Sequence, residues 1–144
     1  MDRREALQGV VSLTALAAAT NAAAQQEQHQ HHHAGGKYSA LVEAAADCVK
    51  TGEICLAHCH VSLATGDKSL GECAKRVSEL LAACHALRSL AAQNSRFVPR
   101  YAKLTMDVCN ACEKECRKHA QHEQCKACGE SCAECAQECK KLTT

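Results

Sequence analysis

The sequence predicts an all-α protein: an antiparallel up-down four-helix bundle whose interior is lined by cysteine. Three observations carry that prediction. Thirteen cysteines occur in a chain of 144 residues. The last five, Cys125, Cys128, Cys132, Cys135 and Cys139, alternate steps of 3 and 4, which keeps all of them on one stripe of an α-helix. Aromatic residues are almost absent, Phe97, Tyr38 and Tyr101 being the whole set, so cysteine and alanine must fill volume that Leu, Ile and Phe normally take. Turn and cap signals divide residues 38–141 into four helix-length pieces joined by short loops.

Residues 1–24 read as a leader. The basic Arg3-Arg4 precedes a weakly apolar run from Gly9 to Ala24 that ends in Ala22-Ala23-Ala24, a small-residue cleavage site. Arg3-Arg4 followed by Leu7 resembles a twin-arginine signal. That route carries folded proteins, which would shield thiols from oxidation, so the protein is expected to be exported to the periplasm. Residues 25–36 lack apolar periodicity and read as a disordered His-rich arm. His29, His31, His32 and His33 there could capture divalent metal or simply belong to a solvated linker.

Residues 37–142 form the expected four-helix metal-binding domain. The first helix runs from Tyr38 to about Thr65, with Leu41, Ala45, Cys48, Cys55 and Cys59 on one face and Gly66 placed to stop it. Ser69-Leu70-Gly71-Glu72 reads as a capping box opening a second helix that ends near Asn94, with Cys73, Val77, Leu80, Cys84 and Leu87 inward. Pro99 suits the first turn of a third helix that carries Leu104, Val108, Cys109, Cys112 and Cys116. A break from His119 to His122 leads into the fourth, Glu123 to about Lys141. The runs beginning at Cys109 and Cys125 share the pattern C-x2-C-x3-C, so one local chemistry is used on two helices.

Up-down topology then sorts residues along the axis. With the Gly66 and His119–His122 loops at the top, the cysteines extend over about 16 residues, roughly 24 Å at 1.5 Å each, and form a column rather than one cluster. Leu41, Val42, Leu87, Leu90, Phe97, Val98 and Leu104 read as an apolar plug at the bottom. His58, His60, His119 and His122 gather at the top and are the expected mouth for metal.

Disulfides are the rival use for so many cysteines. Helix neighbours three or four residues apart have Cβ atoms roughly 5–6 Å apart, whereas a disulfide wants about 3.5–4.5 Å. An odd total also forbids complete internal pairing. Soft thiolates select Cu(I), Zn(II) and iron–sulfur clusters. Zinc wants four ligands in a compact tetrahedron, which gives only about three sites here, and cluster motifs sit in loops with other spacings. Cu(I) accepts two or three sulfurs, so Cys55/Cys59, Cys112/Cys116, Cys128/Cys132 and Cys135/Cys139 could each hold an ion. Thirteen buried thiolates need neutralising, and one Cu⁺ per thiolate brings the core to zero. A zinc or iron–sulfur module and a disulfide-stabilised helical protein are the alternative readings.

Catalysis has little support. Cys59-His60 and Cys84-His85 are thiol–imidazole neighbours in sequence, but adjacent helix residues point about 100° apart. A net charge of +1 with both signs mixed gives no field for nucleic acid.

The inward Cys-x3-Cys pairs, the cysteine-lined bundle and the leader together resemble the bacterial copper storage proteins, in their exported branch. The resemblance spans about residues 37 to 142. It implies that Cys48, Cys55, Cys59, Cys73, Cys84, Cys109, Cys112, Cys116, Cys125, Cys128, Cys132, Cys135 and Cys139 bind multiple Cu(I) ions. It also implies loading through a polar end, a homotetramer, and a copper-requiring enzyme or chelator as recipient. The methionine-containing mouth of the family is absent here, since Met106 lies in the middle of the third helix.

Overall fold

A computed structural model describes residues 36–143. The leader and the arm with His29, His31, His32 and His33 lie outside the described residues, Gly36 excepted. Four helices follow in order: α1 (Ser39–Ala64), α2 (Gly71–Ala92), α3 (Val98–Arg117) and α4 (Glu123–Lys140). Each packs on its neighbours in the chain, and α1 meets α4 to close the ring, while the diagonal helices meet only through side chains at the axis. This is the up-down-up-down bundle expected from the sequence.

Helices α1 and α2 are stopped by left-handed residues. Gly66 has φ 90°, and the N–H groups of Gly66 and Asp67 bond back to the carbonyls of Leu63 and Ser62 at 3.1 and 3.2 Å. Asn94, at φ 51°, ends α2 in the same way, with Asn94 and Ser95 donating to Ala91 and Leu90 at 3.0 Å. Both are Schellman closures, which satisfy carbonyls that the helix leaves over. Pro99 sits in the first turn of α3 as expected.

Two expectations are corrected. The capping box at Ser69 does not form, because Asp67 Oδ1 accepts the Ser69 N–H at 2.9 Å and Glu72 pairs with Arg76 at 2.8 Å. The aspartate turn uses up the loop donor, and α2 starts at Gly71 instead. The bottom plug is also composed differently. Phe97 is 55% exposed and Leu104 53% exposed, while Leu41, Leu87 and Val98 are buried. The inward stripe of α3 runs Val98, Ala102, Thr105, Cys109, Cys112 and Cys116, one residue away from the register of Leu104 and Val108. Thr105 is tolerated inside because its hydroxyl donates to the Tyr101 carbonyl at 3.1 Å.

Candidate metal centre

All thirteen cysteines are fully buried and carry free thiols. They reach the interior because each helix turns one 3.6-residue stripe toward the axis. The nearest sulfurs lie 3.8–4.0 Å apart: Cys55 and Cys125, Cys73 and Cys116, Cys112 and Cys116, Cys55 and Cys73, Cys73 and Cys125. A sulfur–sulfur bond is about 2.05 Å, so these are thiol contacts rather than bridges.

Twelve of the cysteines fall into groups whose sulfurs all lie within 4.8 Å of one another. At the top, Cys55, Cys59, Cys73 and Cys125 form one group; below it come Cys55, Cys116 and Cys128, then Cys112, Cys128 and Cys132. Cys48, Cys84, Cys109 and Cys135 form the lowest, one thiol from each helix. Cys139 belongs to no group of three; its neighbour is Cys135, on the same helix. With a metal–sulfur bond of about 2.3 Å, three sulfurs around an ion stand about 4.0 Å apart and four stand about 3.8 Å apart. The observed separations already match, so metal could enter with little rearrangement.

Protonation follows from burial and mutual contact. Burial pushes the Cys59 thiol up to about 12 and the Cys125 thiol up to about 11. Hydrogen bonds among neighbouring thiols raise Cys109, Cys116 and Cys132 and lower their partners. Those to Cys109 and Cys132 draw Cys48 down to about 6, and contacts led by Cys116 hold Cys73 well below the usual thiol range. Contacts led by Cys112 lower Cys128 and contacts led by Cys109 lower Cys135 in the same way, so thiols that ionise readily occur along the whole column.

The histidines divide. His58 Nε2 and His122 Nδ1 stand 3.1 Å apart with ring centroids at 4.9 Å, half-buried across the α1–α4 seam. His119 is held by Glu115, Nε2 to Oε1 3.4 Å. His60 is exposed on the outer face of α1, as a residue one step from buried Cys59 must be. His85 is exposed as well, 3.8 Å from Glu53, and does not face Cys84.

Sequence reading missed two polar features. Glu115 is buried beside Cys116; it accepts from Lys118 and from His119, and the Lys118 ammonium first of all keeps its carboxyl below the usual range. Its place three and four residues before Lys118 and His119 was the available signal. Ser131 and Thr51 share a hydrogen bond of 2.6 Å between α4 and α1, and Cys48 Sγ donates to the Ser131 carbonyl at 3.1 Å. Only the packing of α1 on α4 makes these neighbours.

The family described as copper storage protein matches residues 34–144. The cysteine-rich protein YhjQ of Bacillus subtilis (strain 168) is 30% identical over 103 residues, which is 72% of this chain and 93% of that protein. Among solved structures, the Cu(I)-bound copper storage protein BsCsp3 superposes with a TM-score of 0.67 at 30% identity, covering 73% of this chain and 96% of its own. The copper storage protein Ccsp from Streptomyces lividans, loaded with 10 copper equivalents, does so with a TM-score of 0.66 at 25% identity, over 76% of this chain and 87% of its own.

Proposed function

The chain belongs to the copper storage protein family, and we propose that it stores multiple Cu(I) ions on its thirteen buried cysteines, serving supply or detoxification rather than catalysis. The carrying observation is the column of thiols, grouped with sulfurs within 4.8 Å of one another and with the nearest upper pairs at 3.8–4.0 Å. It offers soft ligands at metal-binding separations, and successive groups share Cys55 and Cys128 as bridging sulfurs. Zinc sites are separate closed tetrahedra, whereas Cu⁺ neutralises the core one for one. The copper-loaded relatives support the same cargo.

His58 and His122 are proposed to form the mouth, with His119 and His60 beside it. Their support is position at the top, next to Cys59 and Cys125. Export to the periplasm rests on the twin-arginine-like leader, Arg3-Arg4 with Leu7. A homotetramer is supported by resemblance and by the exposed Ile54 and Val61 on α1. The proposed recipient is a copper-requiring enzyme or chelator.

Anaerobic titration of the reduced protein with Cu(I), with Zn(II) in parallel, tests this function. The expected result is a capacity approaching one ion per cysteine with unchanged helicity. A plateau at three or four ions, or preference for zinc, would overturn it.

A further inference from the structure

The column is not uniform along its length. The upper three groups are chained, since Cys55 belongs to the first and second and Cys128 to the second and third. An ion can pass down them by exchanging one thiolate while others still hold it. The lowest group, Cys48, Cys84, Cys109 and Cys135, shares no member with those above. Among the described residues, no three mutually close thiols span the two levels.

The cause is visible in α1 and α2. Between Cys55 and Cys48, α1 presents Gly52 and Thr51. Between Cys73 and Cys84, α2 presents Val77 and Leu80, both fully buried. Gly52 lets that wall close in: a Cβ there would stand 3.0 Å from Leu81 Cδ2 and 3.6 Å from Leu80 Cδ2. At this level α2 therefore presents hydrocarbon and α1 only Gly52 and the Thr51 hydroxyl that bonds Ser131, so thiols line only the α3–α4 side. The contact that crosses the step joins Cys132 above to Cys48 below, each a hydrogen-bonding neighbour of the other.

We propose that the store has two compartments, an upper one that exchanges copper with the mouth and a deep one filled and emptied through the Cys132–Cys48 step. This rests on the reading of the column as a copper store. Ions in the chained groups move with three or four sulfurs nearby, whereas the step offers two. The deep set, with Cys139 beneath it, thus loads last and is surrendered last. The protein then holds a readily exchanged pool and a reserve.

The experiment follows Cu(I) loading and chelator-driven removal of the reduced full chain, anaerobically. Residue-resolved ¹³C signals of labelled cysteine report which thiols are ligated. Two phases are expected, with Cys48, Cys84, Cys109 and Cys135 responding in the slower one. Cys132→Ala should slow that phase about tenfold, equivalent to about 1.4 kcal/mol, while the fast phase keeps its rate and loses only the amplitude of the group that contained Cys132. Cys59→Ala, which removes one thiol at the mouth, should leave the slow phase unchanged. Leu80→Cys puts a thiol on the bare wall and should speed the slow phase; circular dichroism checks that each variant folds. Single-phase loading, or an unaltered slow phase in Cys132→Ala, overturns the two compartments while leaving storage intact. A failure of total capacity would instead overturn storage itself.

Discussion

Loading should expel a proton for most of the ions bound, and the structure sets the scale. Neighbouring sulfurs stand 3.8–4.0 Å apart. Two thiolates about 4 Å apart repel by about 4 kcal/mol at an effective dielectric near 20, which is about 3 pKa units. Ionising one thiol therefore opposes ionising the next, and burial acts in the same direction, taking Cys59 to about 12 and Cys125 to about 11. Near neutral pH most of the metal-free core is thiol, the ionised exceptions being Cys48 at about 6 and Cys73, Cys128 and Cys135, all lowered by their thiol contacts. At the other thiols each Cu⁺ then replaces a proton. Titrating the reduced protein with Cu(I) in weakly buffered solution, and measuring the base needed to hold pH, should give about 0.7 proton per ion, since four of the thirteen thiols are lowered. The apparent dissociation constant of each proton-coupled ion should rise about tenfold per unit fall in pH. Release below about half a proton per ion, with affinity flat across neutral pH, would refute this and show a core already ionised before metal arrives.

Three further outcomes are expected. The metal-free bundle should lose stability in alkali: folded thiols raised above their unfolded value of 9.0 favour the native state below that pH, and this is lost as pH climbs toward 11 and 12 for Cys125 and Cys59. Chemical denaturation from about pH 8 to 11 measures it, and stability rising over that window would contradict the burial argument. Replacing His58, His60, His119 and His122 by alanine should slow loading and removal several-fold with capacity unchanged, as stopped-flow transfer from a Cu(I) chelate would read; normal rates with reduced capacity would make the histidines part of the store. Leu87→Ala in the apolar bottom layer should cost about 2–5 kcal/mol in the metal-free protein by thermal unfolding. A loss under about 1 kcal/mol would mean that the layer does not anchor the fold.

Much of this was legible because cysteine fixed the register. Where thiols recur at 3 and 4, as on α4, the stripe was readable and each of its five cysteines is buried, though Gly129, Ser131 and Ala136 beside it are buried as well. The lower half of α3 has no thiol, and there the large hydrophobes misled: Leu104 and Phe97 face outward while the smaller Ala102 and Thr105 point in. Side-chain size is a poor guide where neighbouring helices have already filled the space. At Ser69 a local motif lost to a competing one, Asp67, whose turn takes the same donor. The meeting of His58 with His122, 64 positions apart, follows only from the seating of α1 on α4. The same is true of the break in the column, which depends on Val77, Leu80 and Gly52 lying at one height.

That break follows from how the chain divides its work. Helices α3 and α4 carry eight of the thirteen cysteines, and α1 and α2 carry five. The buried leucines, Leu41, Leu70, Leu80 and Leu87, all belong to α1, α2 and the turn between them, joined there by Val49 and Val77. A core made only of thiols would depend on metal for its cohesion, as a zinc finger does. Concentrating the hydrocarbon on one hairpin gives the metal-free bundle apolar area to bury, while the other hairpin supplies a nearly continuous wall of sulfur. The scaffold can then stand empty and fill without refolding, as storage requires. Stability of the empty state and continuity of the thiol column compete for the same interior positions, and at Val77 and Leu80 the scaffold has taken them.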